Sequence, residues 1–208
     1  MLTEHSEART EDQDPSSLPP IFRRIPSVSH ISQDPPSDIN RQTVFEWLRE
    51  CIADHLDCRP PEGTKKLPKR LGDVGDLSHT GIKLISATAG HNYVTLSHCW
   101  GTENPFVATK ATEATLRSHI RWKDLPLSFQ DAIRVTRWLG QRYIWIDSIC
   151  IVQDDDKDWD EESAKMADIY SGCELTIAAS RAAGCREGSL QHRPGPIGGV
   201  AVMFYLAP

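Results

Sequence analysis

The chain has 208 residues, 39% hydrophobic and 25% charged, with a formal net charge of −6. Length and composition fit one ordinary globular domain plus extensions, and the acidic balance argues against a nucleic-acid binder held by a basic field. No apolar run reaches the ~18 residues needed to span a bilayer, and Met1-Leu2-Thr3-Glu4-His5 has no signal-peptide character. A cytoplasmic protein with six reduced cysteines is therefore expected.

Residues 1–40 hold six prolines and many Ser, Asp and Glu, and read as a disordered arm. A helix is predicted from Gln42 to Leu56, because Val44, Trp47, Leu48, Cys51, Ile52 and His55 share one face. The stretch 62–80 reads as loop, and Ile82–Ser86 and Tyr93–Ser97 as strands. Ala111–His119 is a short helix candidate. A stronger one begins at Ser128, with Ser128 as N-cap, Asp131 three residues on, and Phe129, Ala132, Ile133, Thr136 and Leu139 as its buried stripe. Strand Tyr143–Asp147 follows. Seven acids between Asp154 and Glu162 precede a helix running to Tyr170. Glu174–Ala179 is the last strand, and residues 186–208 are unassigned.

Two segments end apolar runs on chemistry-bearing residues. Tyr93-Val94-Thr95-Leu96 leads into Ser97-His98-Cys99-Trp100-Gly101, and Tyr143-Ile144-Trp145-Ile146 leads into Asp147-Ser148. Strand, helix, strand at this spacing predicts an α/β fold with a mainly parallel sheet flanked by helices. Ligands of such sheets bind at the carboxyl ends of strands, where these residues fall.

The same segments carry a family likeness. Tyr93 to Gly101, then Leu125-Pro126 through Phe129-Gln130-Asp131-Ala132 to Tyr143–Gln153, then Asp158-Trp159, Glu162, Met166, Ile169-Tyr170 and Leu175–Ala179 follow in order. The chain resembles the fungal heterokaryon-incompatibility (HET) domain over residues 43–185. The resemblance implies an effector of non-self recognition and programmed cell death, attached to or controlled by a sensor protein. It also implies a distant likeness to TIR domains, which signal by association and in some cases cleave NAD.

On that footing Glu162 and Asp147 are the catalytic candidates. A carboxylate can stabilise the oxocarbenium-like state through which the nicotinamide bond breaks, or hold ribose hydroxyls. Ser97, His98, Cys99, Trp100, Gly101 and Ser148 are the ligand-binding candidates, with NAD as substrate rather than cofactor. The alternatives are a self-associating signalling module without chemistry, or an inactive truncated remnant. A His98–Cys99 nucleophile pair is disfavoured because consecutive strand residues face opposite ways. Cys51, His55 and Cys58 stack on one helix face, but their spacing matches no standard zinc motif and burial explains them more simply. No metal site is expected. The acidic run lacks the glycine and alternation of a calcium loop. Of Trp100, Trp145 and Trp159, only Trp100 reads as ligand-facing.

Overall fold

The structure, a computed structural model, describes residues 31–54, 66–75, 81–101 and 106–192. The chain divides into two units, Met1–Ile31 and Ser32–Pro208, and every element below lies in the second. In chain order these are α1 (Asp38–Asp54), β1 (Arg70–Asp73), β2 (Lys83–Ser86), β3 (Tyr93–Ser97), α2 (Glu113–Ser118), α3 (Leu127–Trp138), β4 (Tyr143–Ile146), α4 (Asp147–Cys150), α5 (Asp156–Ser163), α6 (Met166–Ser171) and β5 (Thr176–Ala178). A single 3₁₀ turn, Trp122–Asp124, leads into α3.

The five strands form one sheet in the order β2-β1-β4-β3-β5. The α/β class holds, but the sheet is mixed rather than mainly parallel. β4, β3 and β5 run parallel, while β1 is antiparallel to both β2 and β4. The connections explain the division. The links from β3 to β4 and from β4 to β5 carry helices, as parallel crossovers require. The link from Asp73 to Lys83 is too short for such a crossover and must reverse direction.

β1 corrects the expectation of loop over 62–80. Its sequence, Arg-Leu-Gly-Asp, has no strand-like apolar run, yet all four residues are buried. Its charged ends are neutralised on the spot. The Arg142 guanidinium donates twice to Asp73, both contacts at 3.0 Å, and Arg70 pairs with the carboxylate of Asp158. Gly72 sits opposite Ile144, where an added Cβ would lie 3.1 Å from the Ile144 side chain.

Alternation on β3 and β4 sorts the core onto two faces. Val94, Leu96, Ile144 and Ile146 are fully buried toward α3, which packs on both strands through Phe129, Ala132 and Ile133. Tyr93, Thr95 and Trp145 point the other way, toward α6: the Tyr93 hydroxyl donates to the Ile169 carbonyl at 2.8 Å, and the Trp145 and Tyr170 rings meet edge-on at 5.5 Å. Val44 and Leu48 of α1 pack against the same core.

The strand expected over Tyr143–Asp147 is β4, and the chain turns into α4 at Asp147. One further local expectation changes. The single helix expected to end at Tyr170 is two, α5 and α6, broken at Ala164–Lys165. The predicted arm, residues 1–40, lies mostly outside the described residues. So do His55 and Cys58 and most of the 186–208 tail.

Candidate functional site

Asp147 stands at the carboxyl end of β4, beside the end of β3, in the register that pairs Leu96 with Ile146. Its side chain is 20% exposed. One oxygen, Oδ1, accepts the Ser148 amide at 2.7 Å, and Oδ2 accepts the Trp100 indole N–H at 3.1 Å. His98 Nδ1 approaches Oδ1 at 3.8 Å, beyond a hydrogen bond but close enough for charge to matter.

The two faces of the sheet reach Asp147 from opposite sides. His98 continues the α3-facing row of β3, and its ring meets Phe129 edge-on at 4.9 Å. Tyr170 comes from the α6 side, where its hydroxyl reaches the Leu96 carbonyl at 3.5 Å. Burial, and then the negative charge of Asp147, push the Tyr170 phenol up to about 12. Burial holds His98 below the usual imidazole value of 6.5, against the upward pull of Asp147. At neutral pH the site therefore has a neutral imidazole and a neutral phenol around Asp147.

Three buried polar atoms have no hydrogen-bond partner among the described residues: His98 Nδ1, Ser148 Oγ and Trp145 Nε1. A buried polar group left unpaired costs about 1–3 kcal/mol, and such groups are rare without a functional or solvent explanation. All three belong to residues at or beside the carboxyl ends of β3 and β4. A partly exposed carboxylate with unsatisfied donors and acceptors beside it can hold a hydroxyl-bearing ligand or stabilise developing positive charge.

The remaining sequence candidates divide. Ser97 is exposed at the end of β3, and Cys99 is exposed while the His98 side chain is only 2% exposed. Histidine and thiol thus face opposite ways and form no nucleophile–base pair. Gly101 takes a positive φ of 79°, which turns the chain after Trp100. Ser148 is buried in α4.

Glu162 is placed differently. It is fully buried in α5, accepting the Lys69 amide at 2.8 Å and the Lys165 ammonium at 2.9 Å. Both oxygens are engaged, Oε2 tying α5 to the residue that leads into β1 and Oε1 holding Lys165 just after α5. The neighbouring Asp158 binds Arg70 and accepts the Val152 amide at 2.9 Å and Lys69 at 3.0 Å. Burial opposes ionisation of Asp158, yet these donors hold its carboxyl below the usual range. By antiparallel register Lys69 lies level with the end of β4, so this ionic cluster borders the same edge of the sheet as Asp147.

Sequence reasoning missed Tyr170 and Phe129 as neighbours of the site; Trp145 it weighed and set aside as core. Each sits in a periodic apolar stripe, and nothing local separates such a residue from ordinary core. No three His, Cys, Asp or Glu side chains cluster as metal ligands among the described residues. The five described cysteines form no disulfide.

An α/β domain with a polar cluster at the carboxyl ends of its parallel strands defines the class. The model of the heterokaryon incompatibility protein (HET) family matches residues 93–196, half of the chain, so the chain belongs to the HET family. Membership ties it to heterokaryon incompatibility. Comparisons with curated proteins and with solved structures gave no match.

Proposed function

We propose that the protein is a cytoplasmic effector of fungal non-self recognition that promotes programmed cell death by hydrolysing NAD or a related nucleotide at the Asp147 site. The observation that carries this reading is the set of unpaired buried atoms, His98 Nδ1, Ser148 Oγ and Trp145 Nε1, on residues at or beside the carboxyl ends of β3 and β4, with His98 Nδ1 3.8 Å from the partly exposed Asp147 carboxylate. Asp147 faces the electron-poor ribosyl carbon as the nicotinamide bond breaks, and its charge offsets the positive charge that develops there. Trp100 fixes the carboxylate through its indole N–H. Neutral His98 and Ser148 offer hydrogen bonds to ribose hydroxyls, and Ser97, Cys99 and Gly101 line the entrance. Glu162, the second carboxylate of the sequence reading, supports the frame through Lys69 and Lys165. NAD cleavage is the chemistry that the family resemblance implies through TIR domains, and a sensor partner would supply the activating signal.

The test is NAD consumption by the concentrated protein beside Asp147→Asn and Glu162→Gln. Loss in the Asp147 variant, with a folded protein, supports the reading. Wild-type protein that leaves NAD and related nucleotides intact overturns it.

One observation favours association instead. Trp159 on α5 is 49% exposed, one turn on from Asp155 and Asp156 at the start of the helix. A large exposed aromatic with a charged rim suits a contact surface. Under that reading Trp159→Ser abolishes concentration-dependent self-association and cell killing, while Asp147→Asn leaves both intact.

A further inference from the structure

Residues 182–190, which follow β5, return across the site end of the domain. Ala182 and Cys185 are buried there although no helix or strand includes them. At one end the backbones of Gly184 and Gly101 cross so closely that a Cβ on Gly184 would lie 3.3 Å from the Gly101 Cα, and one on Gly101 3.2 Å from the Gly184 Cα. In the middle, the Cys185 carbonyl accepts both the amide and the hydroxyl of Ser128, at 3.1 and 2.8 Å. At the other end, the Asp131 carboxylate accepts the amides of Ser189 and Leu190, at 2.8 and 3.1 Å. The turn Gly184–Glu187 is closed by its own hydrogen bond, and Glu187 accepts the Ala183 amide.

These contacts reach Asp147 by two routes. Gly101 directly follows Trp100, whose indole is bonded to Asp147. Ser128 directly precedes Phe129, whose ring backs His98. The segment thus holds Gly101 and Ser128, the chain neighbours of Trp100 and of the Phe129 that backs His98.

We infer that residues 182–190 form a positioning strap, in which the Gly184–Gly101 crossing and the Asp131 grip hold Trp100 on Asp147. Gly184 and Asp131 are then positioning residues, acting on the site through Trp100 and Phe129 without touching a substrate. The inference rests on the Asp147 cluster being the working site, but its geometry can be tested without a substrate.

The experiment uses the full ¹⁵N-labelled chain. The Trp100 indole N–H resonance is assigned from its loss in Trp100→Phe, and its hydrogen exchange is measured. Gly184→Val drives a branched side chain into the Gly101 backbone, and Asp131→Asn weakens the far grip. Both are expected to shift the Trp100 resonance and speed its exchange about tenfold, the protection one charge-assisted hydrogen bond supplies. Ile133→Val, which loosens α3 on its core side, is the control for general destabilisation and should leave the resonance in place. If Gly184→Val does not fold, Gly184→Ala and Asp131→Asn carry the test. An unchanged Trp100 indole in the folded strap variants, or an equal shift in Ile133→Val, overturns the strap. Failure of NAD hydrolysis alone would leave these readouts intact and bear on the proposed chemistry instead.

Discussion

Trp100 and Asp147 close the ends of two adjacent parallel strands with one hydrogen bond, the indole N–H donating to Asp147 Oδ2 at 3.1 Å. The bond fixes one oxygen of the carboxylate, while the other accepts the Ser148 amide at 2.7 Å. Trp100→Phe keeps an aromatic ring in the turn and removes the donor. A hydrogen bond to a charged group is worth about 1.5–3 kcal/mol. If that energy orients Asp147 for chemistry, NAD turnover should fall about ten- to a hundredfold. Because Asp147 regains water when the donor is lost, thermal stability should change by no more than about 1 kcal/mol. A steady-state assay beside a melting curve separates the two effects.

His98 should give the fold a pH dependence of definite sign. Burial holds its folded value below 6.5, so the unfolded chain binds the His98 proton at a higher pH than the native one does. The stability tied to a neutral His98 is therefore complete above 6.5 and is lost as pH falls through the depressed folded value. Asp73 and Asp158 are also depressed, but from the carboxylate value of 3.8, so their contribution disappears only at more acidic pH. Denaturant unfolding at stepped pH should show a first loss of stability just below 6.5. His98→Asn should remove that step and leave the acid limb in place. A step of equal size in the variant would assign it to another group.

The parallel half of the sheet was legible because its strands are apolar runs ending on polar residues, and β3 falls on the expected Tyr93–Ser97. β1 was hidden because its burial depends on partners far along the chain. Arg70 finds Asp158 and Asp73 finds Arg142, and no local pattern in Arg-Leu-Gly-Asp announces either. Ser128 and Asp131 show the same limit. Their spacing reads as a helix cap, but Pro126 holds the N-cap position with no side-chain cap bond, and both side chains instead hold residues 185–190. At the site, His98, Trp100, Asp147 and Ser148 were legible from their strand-end positions. Engagement of the Glu162 carboxylate by Lys69 was not, since Lys69 lies 93 positions earlier in the chain.

The two carboxylates of the sequence reading should respond differently to an isosteric amide. Asp147→Asn removes the charge and keeps a single carboxamide oxygen, which can accept from the Ser148 amide or from the Trp100 indole but not from both. Under the proposed chemistry it should abolish NAD turnover, at a cost of about 1 kcal/mol because the partly exposed site lets water meet the displaced donor. Glu162→Gln removes the charge facing Lys165 in a fully buried position and turns one acceptor into a donor. Lys165 is 32% exposed and regains water, so the cost comes mainly from the mismatched buried amide and is about 1–3 kcal/mol. The expected result is a lower melting temperature with substantial activity retained at low temperature. Loss of turnover in a Glu162→Gln protein of wild-type stability would instead return Glu162 to the catalytic role.

The Arg70–Asp158 pair should behave as a keystone between β1 and the start of α5. Arg70 is 6% exposed and also donates Nε to the Cys150 carbonyl at 2.8 Å, while Asp158 accepts the Val152 amide. Asp158→Asn keeps an acceptor for Val152 but leaves the buried guanidinium with only the more distant Glu113 carboxylate, 3.6 Å from Nη1, so a loss of about 3 kcal/mol is expected. Replacing both with apolar residues, Arg70→Met with Asp158→Leu, removes the uncompensated charge. It also strands the Cys150 carbonyl and the Val152 amide, each worth about 1–3 kcal/mol when buried and unpaired. The double variant should therefore recover only part of the loss, in contrast to ion pairs whose backbone neighbours are already satisfied. Denaturant unfolding of the wild type, both single variants and the double variant measures this directly. Full recovery in the double variant would show that the pair serves only to neutralise itself and holds no backbone in place.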